Sequence, residues 1–383
     1  MLPPETAWLK DADAQFLAEA LGGAVFFVGG CVRDALLGQA GSDVDLATPL
    51  PPDVVTARAE GAGLKAVPTG IDHGTVTVVV NGKGFEVTSF RRDVETDGRR
   101  AVVRFSDDMG EDARRRDFTL NALYAAPDGR VFDPLGSGYH DCLHRRIRFI
   151  EDADRRIRED YLRILRFFRF HASFADPEEG FEAEALDAIS RNTSGLETLS
   201  AERVGAEMVK LLSAADPSRA VAGMRQTGCL FRILPGSDDR FLGATVEVAS
   251  QLGLPPDPML RLAALGGEEV ADRLRLSRAE ARRLNDLMEA GYGAEPLPEV
   301  AYRKGVDVAK SAAALRAAMG AMPVSRRDVD KIEVAGEATF PVTAKDLMPA
   351  FEGRALGAEL ARLEALWIGS DFTLSREELM TGR

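Results

Sequence analysis

A chain of 383 residues with 45% hydrophobic and 28% charged residues is long enough for two to four units with separate cores, and it contains no run of about 18 apolar residues that would span a bilayer. The opening MLPPETAWLKDADAQ carries acids where an export signal needs basic residues, and Cys31, Cys142 and Cys229 have neither metal-ligand nor disulfide spacing, so a cytoplasmic chain with reduced thiols is expected. The net charge of −13 argues against a nucleic-acid partner, but nine arginines lie between Arg145 and Arg169 and a second cluster runs from Arg91 to Arg116. Neither contains lysine, and arginine is the cation suited to planar recognition of phosphates and bases.

In chain order, Ala24–Val28 reads as a strand ending on Gly29-Gly30, followed by a helix through CVRDALLG that stops at Gly38. Two glycines between strand and helix let backbone N–H groups approach an anion, although a plain tight turn needs them too. Ser42–Ala47 reads as a strand that projects Asp43 and Asp45 to one side and Val44 and Leu46 to the other. Two carboxylates in one small volume are costly unless water or a cation lies between them. Pro51-Pro52-Asp53 opens a helix through VVTARAEGAG, and Thr75–Val80, the Asn81-Gly82 turn and Gly84–Phe90 form a hairpin. On that hairpin Glu86 alternates with Phe85 and Val87, so it faces either solvent or the cleft of the D-x-D pair. Three carboxylates around one or two divalent cations suit in-line phosphoryl transfer. The glycines match neither a P-loop nor a dinucleotide fingerprint.

Arg114 to Tyr124, RRRDFTLNALY, places basic, acidic, hydroxyl and amide groups before an apolar run. Asp117 or Thr119 could simply cap a helix there, or Asp117 could accept from a sugar hydroxyl beside the arginines. Val131–Pro134 closes the α/β part. From about residue 150 helical periodicity dominates, through DYLRILRFFRFHASF, EAEALDAISRN, SAERVGAEMVKLLSA and SRAVAGMRQTGCLFRIL, with breaks at Asp216-Pro217 and Leu234-Pro235-Gly236. The Gly-, Pro- and Ala-rich stretch 291–345 reads as a looser join to a last helical unit, in which Trp367 packs. His140-Asp141 has no supporting histidine or acid cluster and is not read as a metal phosphohydrolase motif.

Taken together and in this order, GGCVRDALLG with SDVDLAT, FEVTSFRRD, RRDFTLNAL, DPLGSGYHDCLHRRIR, EDYLRILRFFRF and SAERV resemble the successive motifs of the class II tRNA nucleotidyltransferase and poly(A) polymerase family. The resemblance spans roughly residues 24–235, and FPVTAKDLMPAFEGRALGAELARLEALWI resembles the family's bacterial C-terminal end. It implies an α/β head of nucleotidyltransferase (polymerase β-like) type with a small mixed sheet, followed by an all-α neck, body and tail. These map onto about 1–140, 141–195, 196–290 and 291–383. Template-independent addition of CCA to tRNA from CTP and ATP with Mg²⁺, releasing pyrophosphate, is the expected activity. Poly(A) polymerases, CC-adding and A-adding enzymes share these motifs; the full-length segment Asp93–Asp112 favours CCA addition over an A-adding enzyme, and the acidic chain favours it over a poly(A) polymerase, while a non-catalytic tRNA-binding homologue is opposed by the intact acids at 43 and 45. No DNA or membrane partner is expected, and the chain is expected to be a monomer or weak homodimer.

Carried over by position, the resemblance makes Asp43 and Asp45 the metal-binding pair; Glu86, read from the hairpin alternation, is the third candidate catalytic acid beside them. It puts Gly29, Gly30 and Arg33 on the triphosphate side, Arg116, Asp117 and Asn121 at the ribose, and Glu159, Asp160 and Arg163 at the base, with Arg166 also binding nucleotide. The base-reading pair has its own physical logic: Asp160 and Arg163, three apart on a helix, would share a face. A carboxylate only accepts and a guanidinium only donates. Cytosine and adenine each offer an amino donor beside a ring acceptor and satisfy both groups, whereas uracil and guanine offer a carbonyl and a ring N–H and clash with both.

Overall fold

The computed structural model describes residues 1–39, 43–70, 74–97, 100–320 and 323–381, without the side chains of 93–103. Gly41 and Ser42, which open the D-x-D stretch, and Gly98 and Arg99 of the 93–112 segment thus lie outside the described residues. The chain divides into two compact units, one of Met1–Glu207 with Arg219–Ile233 and the other of Met208–Ser218 with Leu234–Arg383.

The first unit is built on a mixed sheet of seven strands, β1 (Phe26–Val28), β2 (Leu46–Thr48), β3 (Lys65–Gly70), β4 (Thr75–Val80), β5 (Lys83–Ser89), β8 (Tyr124–Ala125) and β9 (Val131–Phe132). Their order is β3-β4-β5-β2-β1-β8-β9, and β2 runs parallel to β5 while the other neighbours are antiparallel. The remaining strands, β6 (Arg91–Asp97) and β7 (Arg100–Phe105), form a separate ribbon. TVTVVV makes β4 because alternate valines, Val76, Val78 and Val80, are buried. At its end Asn81 (φ 49°) and Gly82 (φ 85°) both take the left-handed conformation of a two-residue hairpin turn, which closes the register at Val80↔Lys83.

Two local expectations shift here. Strand β2 begins at Leu46, so Asp43 and Asp45 lie in the approach to it; the Asp45 carbonyl nonetheless accepts from the Val28 amide at 3.0 Å. Residues 119–121 form one 3-10 turn that runs almost directly into β8, because the sheet reclaims the chain at Tyr124.

Eleven helices pack around and beyond the sheet: α1 (Ala12–Ala20), α2 (Gly30–Leu36), α3 (Pro52–Gly61), α4 (Met109–Arg114), α5 (Gly138–Leu143), α6 (Ala153–Glu159), α7 (Leu162–Phe174), α8 (Ala183–Asn192), α9 (Ala201–Leu212), α10 (Ser218–Gln226) and α11 (Cys229–Ile233). The last two were expected as one; Gly228, at φ 81°, separates them. In α7 the apolar positions of LRILRFFRF face inward as its spacing predicts, burying Leu162, Ile164, Leu165, Phe167, Phe168 and Phe170. Phe149 stacks on Phe167 with centroids 5.4 Å apart, and Phe118 reaches Phe170 at 5.1 Å, so the RRDFTLNAL segment shares its core with α7.

In the second unit α12 (Leu242–Gln251), α13 (Pro258–Leu265), α14 (Val270–Arg273), α15 (Arg278–Tyr292), α16 (Leu297–Lys304), α17 (Val306–Ala318) and α18 (Arg326–Glu337) precede a final long helix, Gly353–Gly369. The looser join expected over 291–345 is therefore corrected: it carries α16, α17 and α18. Helix α17 packs against α12, α15 and α16 and buries Val308, Ala309, Ser311, Ala312, Ala313, Ala314 and Leu315. A helix enclosed on most sides shows no amphipathic stripe, and alanines that permit close packing resemble a linker in composition. A Cβ on Gly291 would lie 2.4 Å from Leu315 Cδ2, which shows how closely α15 approaches α17. Trp367 is buried in the Gly353–Gly369 helix, beside Tyr302, Phe340 and Phe372, as expected.

Candidate active site

The acids lie at the middle of the sheet, where β2 and β5 run side by side. Glu86 is exposed between buried Phe85 and Val87 on β5, and Leu46 pairs with Val87 across the parallel β2/β5 ladder. One step back along that register sets Asp45 beside Glu86. Desolvation raises the Asp45 carboxyl above its ordinary range; the positive charge of Arg116 opposes the shift, and the negative charges of Glu86 and Asp43 reinforce it. Carboxylate oxygens are the donors a hard divalent cation takes. Among the described residues no three acids or histidines are grouped closely enough to hold a metal ion by themselves.

Beside the acids lies the glycine turn. Gly29 sits at φ 74°, ψ −121°, and a Cβ there would stand 3.3 Å from Arg116 Nη1 and 3.6 Å from the Asn121 carbonyl oxygen. Gly30 then opens α2. Gly29→Ala combines that crowding with backbone strain of about 1–3 kcal/mol. The variant is expected to melt lower and to show a raised KM for nucleotide, measured by thermal unfolding and initial rates.

Arg116 is held by a pair that sequence reading did not single out. Its Nη2 donates to Asp112 Oδ2 at 3.1 Å and its Nε to the Tyr124 hydroxyl at 3.3 Å, while that hydroxyl donates to Asp112 Oδ2 at 2.6 Å. Asp112 also accepts from Arg115 Nε at 2.8 Å, and although burial pushes its carboxyl up, the two arginines hold it below the ordinary range. The three- and four-residue spacings from Asp112 to the arginines were legible as helix-type pairs; the Tyr124 contact was not.

Asp117, Asn121, Arg33 and Arg166 form a second network. Asp117 Oδ1 accepts from the Phe118 amide at 2.8 Å and from Asn121 Nδ2 at 3.0 Å, while Oδ2 accepts from Arg166 Nε at 2.8 Å and Nη2 at 2.5 Å. Burial alone would raise the Asp117 carboxyl, but the Arg166 charge and these donors bring it down to about 2. Arg33 is buried, donating through Nη1 to Asn121 Oδ1 at 2.7 Å and through Nε to Asp34 at 2.8 Å, with its guanidinium 3.9 Å from the Phe174 ring centroid. Arg33 is thus turned toward Asn121 and Phe174.

The expectation that Asp160 and Arg163 share one helix face needs correction. Asp160 ends α6 in extended conformation, φ −155° and ψ 106°, and α7 begins two residues later. Its Oδ1 accepts from the Leu162 amide at 3.1 Å and its Oδ2 from Arg203 Nη2 at 2.7 Å. Arg163 donates instead to Glu159 Oε2 at 2.7 Å and to the Arg156 and Arg115 carbonyls at 2.8 and 3.2 Å. Arg156, buried, donates to Glu159 and to the Arg115 and Arg116 carbonyls, tying the base-side residues to the ribose motif. Arg203 and Glu207 of α9 were also missed. Glu207 lay within reach of sequence reading, as an acid on the helix face of Val204, Met208 and Leu211.

A mixed sheet with carboxylates at its central strands and a glycine turn beside them is the head of a nucleotidyltransferase. Residues 25–148 match the poly A polymerase head domain, and residues 180–241 match the probable RNA and SrmB-binding site of polymerase A. The chain is 32% identical over 376 residues to CCA tRNA nucleotidyltransferase 1, mitochondrial, of Mus musculus, covering 92% of this chain and 85% of that protein. It is 40% identical over 220 residues to the CCA-adding enzyme of Leuconostoc citreum, covering 57% of this chain and 52% of that one. The crystal structure of the Bacillus stearothermophilus CCA-adding enzyme in complex with CTP superposes with a TM-score of 0.74 at 28% identity, over 94% of this chain and 93% of that one. This chain belongs to the CCA tRNA nucleotidyltransferase family.

Proposed function

We propose that this protein adds CCA to the 3′ end of tRNA, without a nucleic-acid template, from CTP and ATP. The observation that carries this is the gathering of Asp43, Asp45 and Glu86 beside Gly29 and the Arg116–Asp112–Tyr124 hub, in a chain related over 92% of its length to a CCA tRNA nucleotidyltransferase. In the reaction the terminal 3′-hydroxyl loses its proton and forms a bond to the α-phosphorus, and the bond between the α-phosphorus and the bridging oxygen of pyrophosphate breaks.

Each group has a role in this reading. Asp43, Asp45 and Glu86 would hold Mg²⁺, which when bound lowers the pKa of the attacking hydroxyl and offsets charge on the phosphates. Arg116 faces the acids and supplies positive charge on the phosphate side. Asp117 and Asn121, fixed by Arg166 and Arg33, orient the ribose. Asp160 and Arg163, supported by Glu159, read the base edge: the carboxylate accepts the amino group of C or A and the guanidinium donates to the ring nitrogen. A site of this kind rejects a base with the opposite pattern by roughly 10⁴–10⁵, because its buried polar groups would go unpaired.

In this reading residues 1–140 act as catalytic head, 141–195 as base-reading neck, 196–290 as body and 291–383 as the tRNA-gripping tail. Among the described residues no helix is long and apolar enough to cross a membrane, and we place the reaction in the cytoplasm. Poly(A) synthesis is the competing activity within this chemistry. Incubation with ATP alone and tRNA lacking its terminal trinucleotide separates the two: CCA addition yields no long oligo(A), and a lengthening A ladder would overturn the proposal.

A further inference from the structure

Asp160 stands outside any helix, so no helical ladder orients its side chain. Two contacts do: the Leu162 amide on Oδ1 and Arg203 Nη2 on Oδ2 at 2.7 Å. Arg203 sits in the first turn of α9, where its own amide donates to Ser200 Oγ at 3.4 Å. One turn further along the same helix, Glu207 forms an ion pair with Arg169, Nε to Oε2 at 2.7 Å without hydrogen-bond alignment, and faces Arg166 at 3.8 Å; it is only 5% exposed. Helix α9 therefore presents a cation to Asp160 and, four residues on, an anion to the arginines behind Asp117.

We propose that Arg203 is a positioning residue that sets base selectivity by locking the Asp160 carboxylate, while Glu207 sets nucleotide affinity through Arg166. This rests on the reading of Asp160 as acceptor of the base amino group. A carboxylate has about four lone-pair sites, and the two contacts leave others for that amino group. Clamped on both oxygens, the carboxylate cannot swing away when uracil or guanine presents a carbonyl, so the repulsion between acceptors is paid in full. Released from Arg203, it rotates about its terminal torsion, which is intrinsically soft. Acceptance of C and A weakens and rejection of U and G is relieved. Glu207 acts at the other end of the site. Its charge holds Arg166 in place to grip Asp117, so its loss affects every nucleotide alike.

The test is single-nucleotide incorporation into truncated tRNA by wild type, Arg203→Ala, Arg203→Lys, Glu207→Gln and Asp160→Ala. Arg203→Ala is expected to raise the kcat/KM ratio of UTP to CTP by about tenfold, the worth of one charge-assisted hydrogen bond, with the KM for tRNA unchanged. Arg203→Lys should restore part of the discrimination, and Glu207→Gln should raise the KM of CTP and UTP together with their ratio intact. If Arg203→Ala lowers both nucleotides equally and leaves the ratio unchanged, Arg203 is merely structural and the proposal falls. Should that variant fail to fold, Arg203→Met, which keeps the length and loses the donor, decides: a shift toward UTP supports the lock and an unshifted ratio overturns it. An unshifted ratio in Asp160→Ala removes the base-reading premise and the proposal with it, whereas a shift there without one in the Arg203 variants overturns the lock alone. Either result is distinct from failure of CCA addition, which wild type reports directly.

Discussion

Asp45→Ala is expected to reduce nucleotide incorporation by roughly 10³-fold or more, because in the proposed reading it removes a carboxylate that would hold the cation at the reacting phosphate, while tRNA binding stays near wild type. Asp45 stands at the start of β2 beside Glu86, and its carboxyl is raised by desolvation and by the charges of Glu86 and Asp43 against the pull of Arg116. A carboxyl with a raised pKa is one whose ionised form the fold disfavours. Asp45→Asn, which removes that charge without changing shape, should therefore melt no lower than wild type and still be inactive. Loss of activity together with loss of folding would argue for a structural role. Undiminished incorporation would refute the catalytic one. Rates with truncated tRNA and CTP, alongside thermal melts, separate these outcomes.

Asp117→Ala is expected to act on stability first, costing about 3–5 kcal/mol, the usual penalty for breaking a buried ion pair from one side. Asp117 is 8% exposed, and its removal leaves Asn121 Nδ2 without its acceptor and Arg166 facing only Glu207, at 3.8 Å. The same carboxylate predicts a pH dependence. Its pKa lies at about 2 in the folded protein against an ordinary value of 3.8, so the stability it contributes is fully present above pH about 4 and is lost as pH falls toward 2. That increment is of the order of 2 kcal/mol. Denaturant melts from pH 5 downward should show the wild type converging on Asp117→Asn as the carboxylate protonates. Parallel curves across that range would count against the ion pair.

Sequence patterns reach some of this and miss the rest for identifiable reasons. The hairpin of β4 and β5 was legible because alternating valines and an Asn-Gly turn are local signals, and the alternation alone placed Glu86 opposite Phe85 and Val87. The strand expected at Ser42–Ala47 is observed over Leu46–Thr48, yet Asp45 stays against the sheet because its carbonyl is tied to Val28, a partner seventeen residues earlier. EDYLRIL has helical spacing throughout, but α6 and α7 meet at Asp160 and the chain extends there; Arg203, forty-three residues away, takes the carboxylate. Arg33 lies in a motif that suggests phosphate contact, and only the fold reveals Asn121, Asp34 and Phe174 around its guanidinium. The Asp160–Arg203 and Arg33–Asn121 contacts are long-range ones that no local pattern announces.

The measurement that bears most directly on the central claim is the sequence of the product formed when the protein, divalent magnesium and all four nucleoside triphosphates meet a tRNA lacking its terminal trinucleotide. The account predicts C, C and A in that order, followed by termination, with CTP alone yielding only the two cytidines. Continued growth of adenosines, or incorporation of uridine or guanosine at rates comparable to cytidine, would contradict it.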